Sequence, residues 1–302
     1  MNFIRPLFLK SKKYTPSVTL LRSSQRLAII FSFFLLFSNG CVPENDVPVY
    51  INIPSFSFTT TTGQGTAAQK ISDVWVYVDG LSLGAYQLPA RFPFVGTGKH
   101  DFLLFAGIRN NGVRSNPVIF AGTKTFSTTL DLKAGDDVTI RPTTTYIDDI
   151  KIWLNEDFER VNTFTVNRDN NLNTAFTTVS DGFEGNGAAI LLSKANPIIE
   201  KATTIKAQLP DNAQSSIIEL HYKTDSPLFV GILGTSSSFL NGDIAYKVVL
   251  SPNQTWNKTY IDVTKEAKNL ITKDFQVIFR SLLPDSLDKA RILIDNVKLI
   301  QK

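Results

Sequence analysis

The segment ISDVWVYVDG, residues 71–80, decides the class of fold. Val74, Val76 and Val78 alternate with Trp75 and Tyr77, which puts three valines on one face of an extended strand and two aromatics on the other. Asp79-Gly80 then reverses the chain, and residues 82–88 return as the second strand of a hairpin. Outward from this hairpin the same pattern repeats. Residues 99–105, 118–120, 125–132 and 137–142 are short β-prone stretches separated by Gly, Asn and Pro turns such as Asn110-Asn111-Gly112. Seven or so strands in about 100 residues predict a two-sheet sandwich.

After an interruption at residues 143–149 the pattern resumes, with strands expected at 188–192, 204–208, 217–223, 229–233, 245–250, 255–263, 275–281 and 290–300. Residues 264–270 are the one helical candidate. The expectation is an all-β chain of two tandem β-sandwich domains, residues 49–146 and 150–302. At 302 residues there is enough chain for each to bury its own core. The 22 phenylalanines, and the frequent Thr, Val, Ile and Asn, suit such a fold. With Cys41 the single cysteine, no intramolecular disulfide can form, and packing must hold the domains together.

Residues 27–37, LAIIFSFFLLF, form an apolar run of eleven behind Arg22 and Arg26, ending in Ser38-Asn39-Gly40-Cys41. A membrane-spanning helix needs about 20 apolar residues, so a shorter run with a basic flank and small residues after it reads as a secretory signal. Six bases and no acid precede Cys41, which leaves 25 bases against 27 acids behind it. The formal charge of +4 therefore belongs to the targeting segment, and no basic patch remains to support nucleic-acid binding.

Gly40-Cys41 resembles the cleavage and acylation site of bacterial lipoprotein signals, with Ser38 standing where an aliphatic residue is usual. The resemblance implies a signal peptide over residues 1–40, acyl chains (palmitate among them) on Cys41, and a tether over 41–48. Two or more chains anchor stably where one does not. Val42 rather than Asp after the cysteine implies the outer membrane. Residues 73–108 are similar to the small immunoglobulin-like sandwich modules of bacterial, Bacteroidetes-like envelope lipoproteins, with Val78-Asp79-Gly80, Gly84-Ala85-Tyr86 and Gly98-Lys99-His100 carrying the likeness. In the second domain, Asp157-Phe158-Glu159, the loop DGFEGNG at 181–187 and Ile294-Asp295-Asn296-Val297 resemble the galactose-binding-like carbohydrate-binding jelly rolls. That resemblance implies first and last strands side by side, and Asp157, Glu159 and Asp295 meeting at a structural calcium.

The residues offer little for catalysis. His100 and His221 fall one in each predicted domain, each within a strand-like stretch where a structural or exposed histidine is the expectation, and the clustered His and Cys ligands a zinc site needs are lacking. Paired acids such as Asp136-Asp137 and Asp148-Asp149 sit at turns, where solvation accounts for them. Sugar recognition needs an aromatic face with polar neighbours, and Trp256, Tyr260, Tyr246 and His221 are the expected ligand-binding residues, with Trp153 also available. The expectation is a non-catalytic envelope lipoprotein that needs no cofactor and acts as a glycan-binding or adhesive surface module. The alternative is an accessory subunit of an outer-membrane transport or secretion complex, packed against a protein partner.

Overall fold

The computed structural model describes residues 47–302 apart from 114, 211, 235–242, 271 and 273. Cys41 and the expected signal at residues 1–40 lie outside the described residues. No helix among the described residues is long and apolar enough to cross a membrane.

The N-terminal half is built from β1 (Val49–Ile53), β2 (Ser57–Thr59), β3 (Asp73–Val78), β4 (Leu81–Gln87), β5 (Ala90–Phe94), β6 (Gly98–Arg109), β7 (Pro117–Ile119), β8 (Phe126–Leu132), β9 (Asp137–Thr139) and β10 (Thr143–Thr145). The β3–β4 hairpin turns on Asp79 and Gly80, whose φ values of 51° and 81° supply the two left-handed residues that a tight hairpin reversal demands. Their sheet runs β4-β3-β6, and the twelve-residue β6 is long enough to pair β8 along its first part and β7 at its end. A second, smaller sheet, β5-β1-β9, faces it, and β2 pairs β10 in parallel. Val74, Val76 and Val78 are buried, as the alternation requires. The sequence reading missed β1, β2, β5 and β10. In β5 the cause is plain: Pro93 breaks the expected pattern yet is tolerated in an edge strand.

The C-terminal half follows with β11 (Lys151–Glu156), β12 (Val166–Asn167), β13 (Thr177–Val179), β14 (Gly187–Ser193), β15 (Ile198–Ala202), β16 (Ala207–Gln208), β17 (Ser216–Thr224), β18 (Leu228–Gly234), β19 (Asp243–Leu250), β20 (Asn253–Asp262), α1 (Thr264–Asn269), β21 (Asp274–Leu282) and β22 (Lys289–Gln301). Its first sheet has the order β13-β14-β22-β17-β20, with β11 also on β22. Its second has the order β12-β15-β21-β18-β19, with β16 on β21. Alternate residues of both sheets, among them Leu220, Ile261, Ile292, Val230, Val277 and Phe279, fill the core between them. Fully burying each such side chain contributes about 1.5–3 kcal/mol. The opening strand does lie beside the closing one, with Glu156 opposite Val297. The expected strand at 204–208 shrinks to Ala207–Gln208, and Ile198–Ala202, where no strand was expected, forms one.

Each half has its own hydrophobic cluster, and the N-terminal one extends onto the C-terminal half. Ile217, Tyr260 and Ile300, all on the outer face of the first sheet, join the N-terminal cluster around Val74, Phe102, Phe120 and Tyr146. The edge of β20 is capped by the loop after β6, where Asn111 N donates to Tyr260 O and Asn111 Oδ1 accepts from Asp262 N.

Candidate glycan-binding surface

The three acids expected at a calcium site meet a different fate. Asp295 is fully buried, and its Oδ2 accepts hydrogen bonds from Phe183 N at 2.8 Å and Glu184 N at 3.0 Å, while Oδ1 accepts from Asn296 N at 2.6 Å. Glu159 grips the same loop from the other side, accepting from Asn186 N and Nδ2 at 2.7 and 2.8 Å. A Cβ at Gly185, where φ is +61°, would run into Glu159 Oε1, so glycine is what lets the loop close on that carboxylate. Asp157 Oδ1 accepts from Glu159 N. Apart from Asp157 Oδ2 these oxygens already accept from N–H donors, whereas calcium needs them as its own ligands, and among the described residues no three acid, His or Cys side chains converge on a metal-sized gap. The donor set therefore does not fit the calcium implied by the resemblance, and loop 181–187 is instead clamped by two carboxylates. Burial raises the Asp295 carboxyl to about 6, against the pull of its three backbone hydrogen bonds.

Two of the expected sugar-binding residues are corrected by burial. Tyr260 is 2% exposed and lies 5.1 Å from the Phe120 ring at the junction of the halves, with its hydroxyl accepting from Lys70 N. His221 is also 2% exposed, with its ring stacked at 3.9 Å under Phe183. Burial, helped by the Lys258 and Lys298 charges, pushes its imidazole down to about 3, so it is neutral at physiological pH. Beside it sits Glu219, which accepts from Tyr146 OH at 2.7 Å. Lys258 Nζ lies 2.9 Å from Glu219 Oε2, an ion contact without hydrogen-bond directionality. Burial opposes ionisation of Glu219, yet the Lys258 and Lys298 charges outweigh it and hold the carboxyl below its usual range. Lys298 Nζ donates to Thr66 O at 2.8 Å, tying the last strand to the N-terminal half. This constellation is a junction, with both ends of each contact supplied by the protein itself.

Trp256 and Tyr246 remain accessible, but on opposite outer faces of the C-terminal sandwich. Trp256 stands at the uncovered end of the first sheet, 6.2 Å from the ring of Phe183, which is 39% exposed. Tyr246 lies on the second sheet, half-buried, 5.8 Å from Phe229 in an edge-to-face pair, and its hydroxyl donates to Glu200 Oε1 at 2.6 Å. Arg280 Nη1 approaches the same carboxylate at 3.6 Å. Cross-strand register explains the grouping: Glu200 is opposite Arg280 and Arg280 opposite Phe229, while Ile278 is opposite Gly231 and Gly231 opposite Tyr246. A Cβ on Gly231 would run into Ala245 O and lie 2.7 Å from Tyr246 Cα, so the bulge that sets Tyr246 on this face needs glycine there. Ala202, Leu233 and Ile278 form the apolar floor, and a recess of about 320 Å³ opens beside Glu200 and Arg280. Phe183, Phe229, Glu200 and Arg280 were not singled out in the sequence. For Phe229 the signal was present, since strand alternation places it on the face opposite Val230.

No protein family matches the chain, and no curated protein does. Similar solved structures include the Family 11 carbohydrate-binding module from Clostridium thermocellum in complex with a β-1,3-1,4-mixed-linked tetrasaccharide, 16% identical over 50% of this chain and 94% of that chain, with a TM-score of 0.33. A Family 30 carbohydrate-binding module is 9% identical, covering 48% of this chain and 87% of that one, with a TM-score of 0.36. A carbohydrate-binding module of the β-sandwich superfamily, described as promiscuous in specificity, is 14% identical and covers 85% of this chain and 99% of that one, with a TM-score of 0.35.

Proposed function

We propose that this chain is a non-catalytic glycan-binding protein of a bacterial envelope, held at the outer membrane by lipid on Cys41, whose sugar-binding surface is the outer face of the second C-terminal sheet. One observation carries the reading. The N-terminal half packs its apolar residues on the first sheet, whereas the second sheet keeps Tyr246 and Phe229 half-exposed between Glu200 and Arg280. An aromatic ring stacks on the apolar face of a pyranose, and a carboxylate and a guanidinium at its rim bond the ring hydroxyls. Glu200 and Arg280 bind and orient in this reading. The carboxylate beside them, Asp169, is engaged by the Lys201 ammonium and by Glu200 N and Asn171 N, which supports a binding rather than a cleaving role.

A glycan array probed with the full-length chain should return hits among neutral oligosaccharides. Tyr246→Ala should weaken the best of them by about tenfold or more, the loss of one stacking and hydrogen-bonding group. An array with no hit, or a hit indifferent to Tyr246→Ala, refutes the assignment of this face.

A further inference from the structure

Along the outer edge of β20, between the two halves, runs a cleft of about 480 Å³. Two cations reach it, Lys70 and Arg109 from the N-terminal half, while Lys258 of β20 contributes to the wall with its ammonium buried against Glu219. The acids that pair Arg109 and Lys258 stand behind the wall, Asp73 at 2.7 Å from Arg109 Nη2 and Glu219 beside Lys258, both acids 2% exposed. None of the described residues lining the cleft carries a carboxylate. Lys70 has no counterion of this kind, its ammonium meeting Asn257 Oδ1 alone among the described residues. A recess lined by one sign of charge with the opposite sign set behind it concentrates anions.

The cleft also holds an unmet hydrogen-bonding group. Thr259 Oγ1 is buried, at 4% residue exposure, and has no partner. A buried hydroxyl left so is costly unless something polar enters to meet it. Asn111 spends its Oδ1 on Asp262 N, which leaves its Nδ2 to donate, and Gln87 adds a second amide at the rim. We propose that this cleft is a second saccharide site, distinct from the second-sheet face, that takes an acidic sugar residue. Its carboxylate or sulfate lies between Lys70 and Arg109, and its hydroxyls meet Asn111, Gln87 and Thr259. The site stands or falls independently of the second-sheet face, because no lining residue is shared.

Calorimetric titration of the full-length chain with three probes tests this: a uronate tetrasaccharide, a sulfated galactan tetrasaccharide and inorganic phosphate. One of the acidic tetrasaccharides should bind, with affinity falling as salt is added, and which of them binds identifies the acid. Lys70→Gln should weaken that binding about tenfold, the loss of one charged hydrogen bond. Lys206→Gln removes the same charge from an exposed position outside the cleft and should leave the affinity as it was. Binding of neither tetrasaccharide, phosphate binding as tight as the saccharide, or an equal loss in the Lys206 variant would each overturn the proposal.

Discussion

The outer faces of the two C-terminal sheets are built by the same alternation and end up as opposites. On the first sheet, Glu219, His221, Tyr260, Lys258 and Lys298 are sealed under the N-terminal half and Phe183, and the ionised groups must satisfy one another. On the second, Glu200, Arg280, Tyr246 and Phe229 keep access to solvent while touching one another in the same way. A carboxylate, a cation and an aromatic therefore make a junction in one place and a candidate binding surface in the other. The difference lies in what is stacked on the face, since the residue types are nearly the same.

The contrast is open to attack at several points. Glu219→Ala should produce the largest change, destabilising the protein by about 3–5 kcal/mol, because Lys258 and Lys298 would be left buried without their carboxylate. Chemical denaturation measures this, and a loss below about 1 kcal/mol would mean that the covered face is as solvated as the open one. Tyr260→Ala should cost about 3 kcal/mol through the cavity left beside Phe120, whereas Tyr246→Ala should cost only about 1 kcal/mol, the loss of its hydrogen bond to Glu200. Equal costs would erase the distinction between buried and accessible aromatics.

The imidazole gives a test by pH. With a folded pKa near 3 and an unfolded value of 6.5, His221 takes up its proton more readily in the unfolded chain. Its contribution therefore favours the fold above pH 6.5 and is lost as pH falls toward 3. Asp295, raised to about 6 by burial, works in the opposite direction: its protonation favours the fold below pH 3.8, and that advantage is lost as pH rises through 6. The two stand opposite each other on β17 and β22, so much of their pH dependence cancels in the intact protein. In His221→Leu the cancellation is removed. Relative to the parent, the variant should gain about 2 kcal/mol between pH 6.5 and 5, read from denaturation midpoints at each pH. The smallest effect is expected from a chelator, which should leave the melting temperature unchanged. A fall would show that loop 181–187 takes a cation despite its N–H partners.

The ISDVWVYVDG hairpin was legible because its information is local: period-two alternation and a turn pair that only certain residues adopt. Most of the C-terminal strands were legible for the same reason, and α1 was found at 264–269. β15 was not, since PIIEKA has two adjacent isoleucines in place of an alternating pattern, and its Lys201 is drawn inward by Asn167 Oδ1 and Asp169 Oδ1 at 2.7 and 2.8 Å. That ammonium lies in an oxygen-lined loop that also offers Asn171 O and Thr174 Oγ1, a place where the C-terminal half does cage a cation, supplied by its own chain.

By itself the sequence determined the all-β class, the turns, and which residues share a face of a given strand, because the pleat of an extended backbone dictates that over a few residues. It also placed Tyr246 and Trp256 on strands, and the resemblance carried by its motifs set the opening strand beside the closing one. Only the tertiary structure decided that the first sheet is covered and the second open, that Tyr260 and His221 are sealed in, and that Glu200, some 46 residues before Tyr246, meets its hydroxyl. Alternation assigns a side chain to one of two faces, but solvent is excluded from a face by segments distant in sequence, and no local pattern encodes which of the two they will cover.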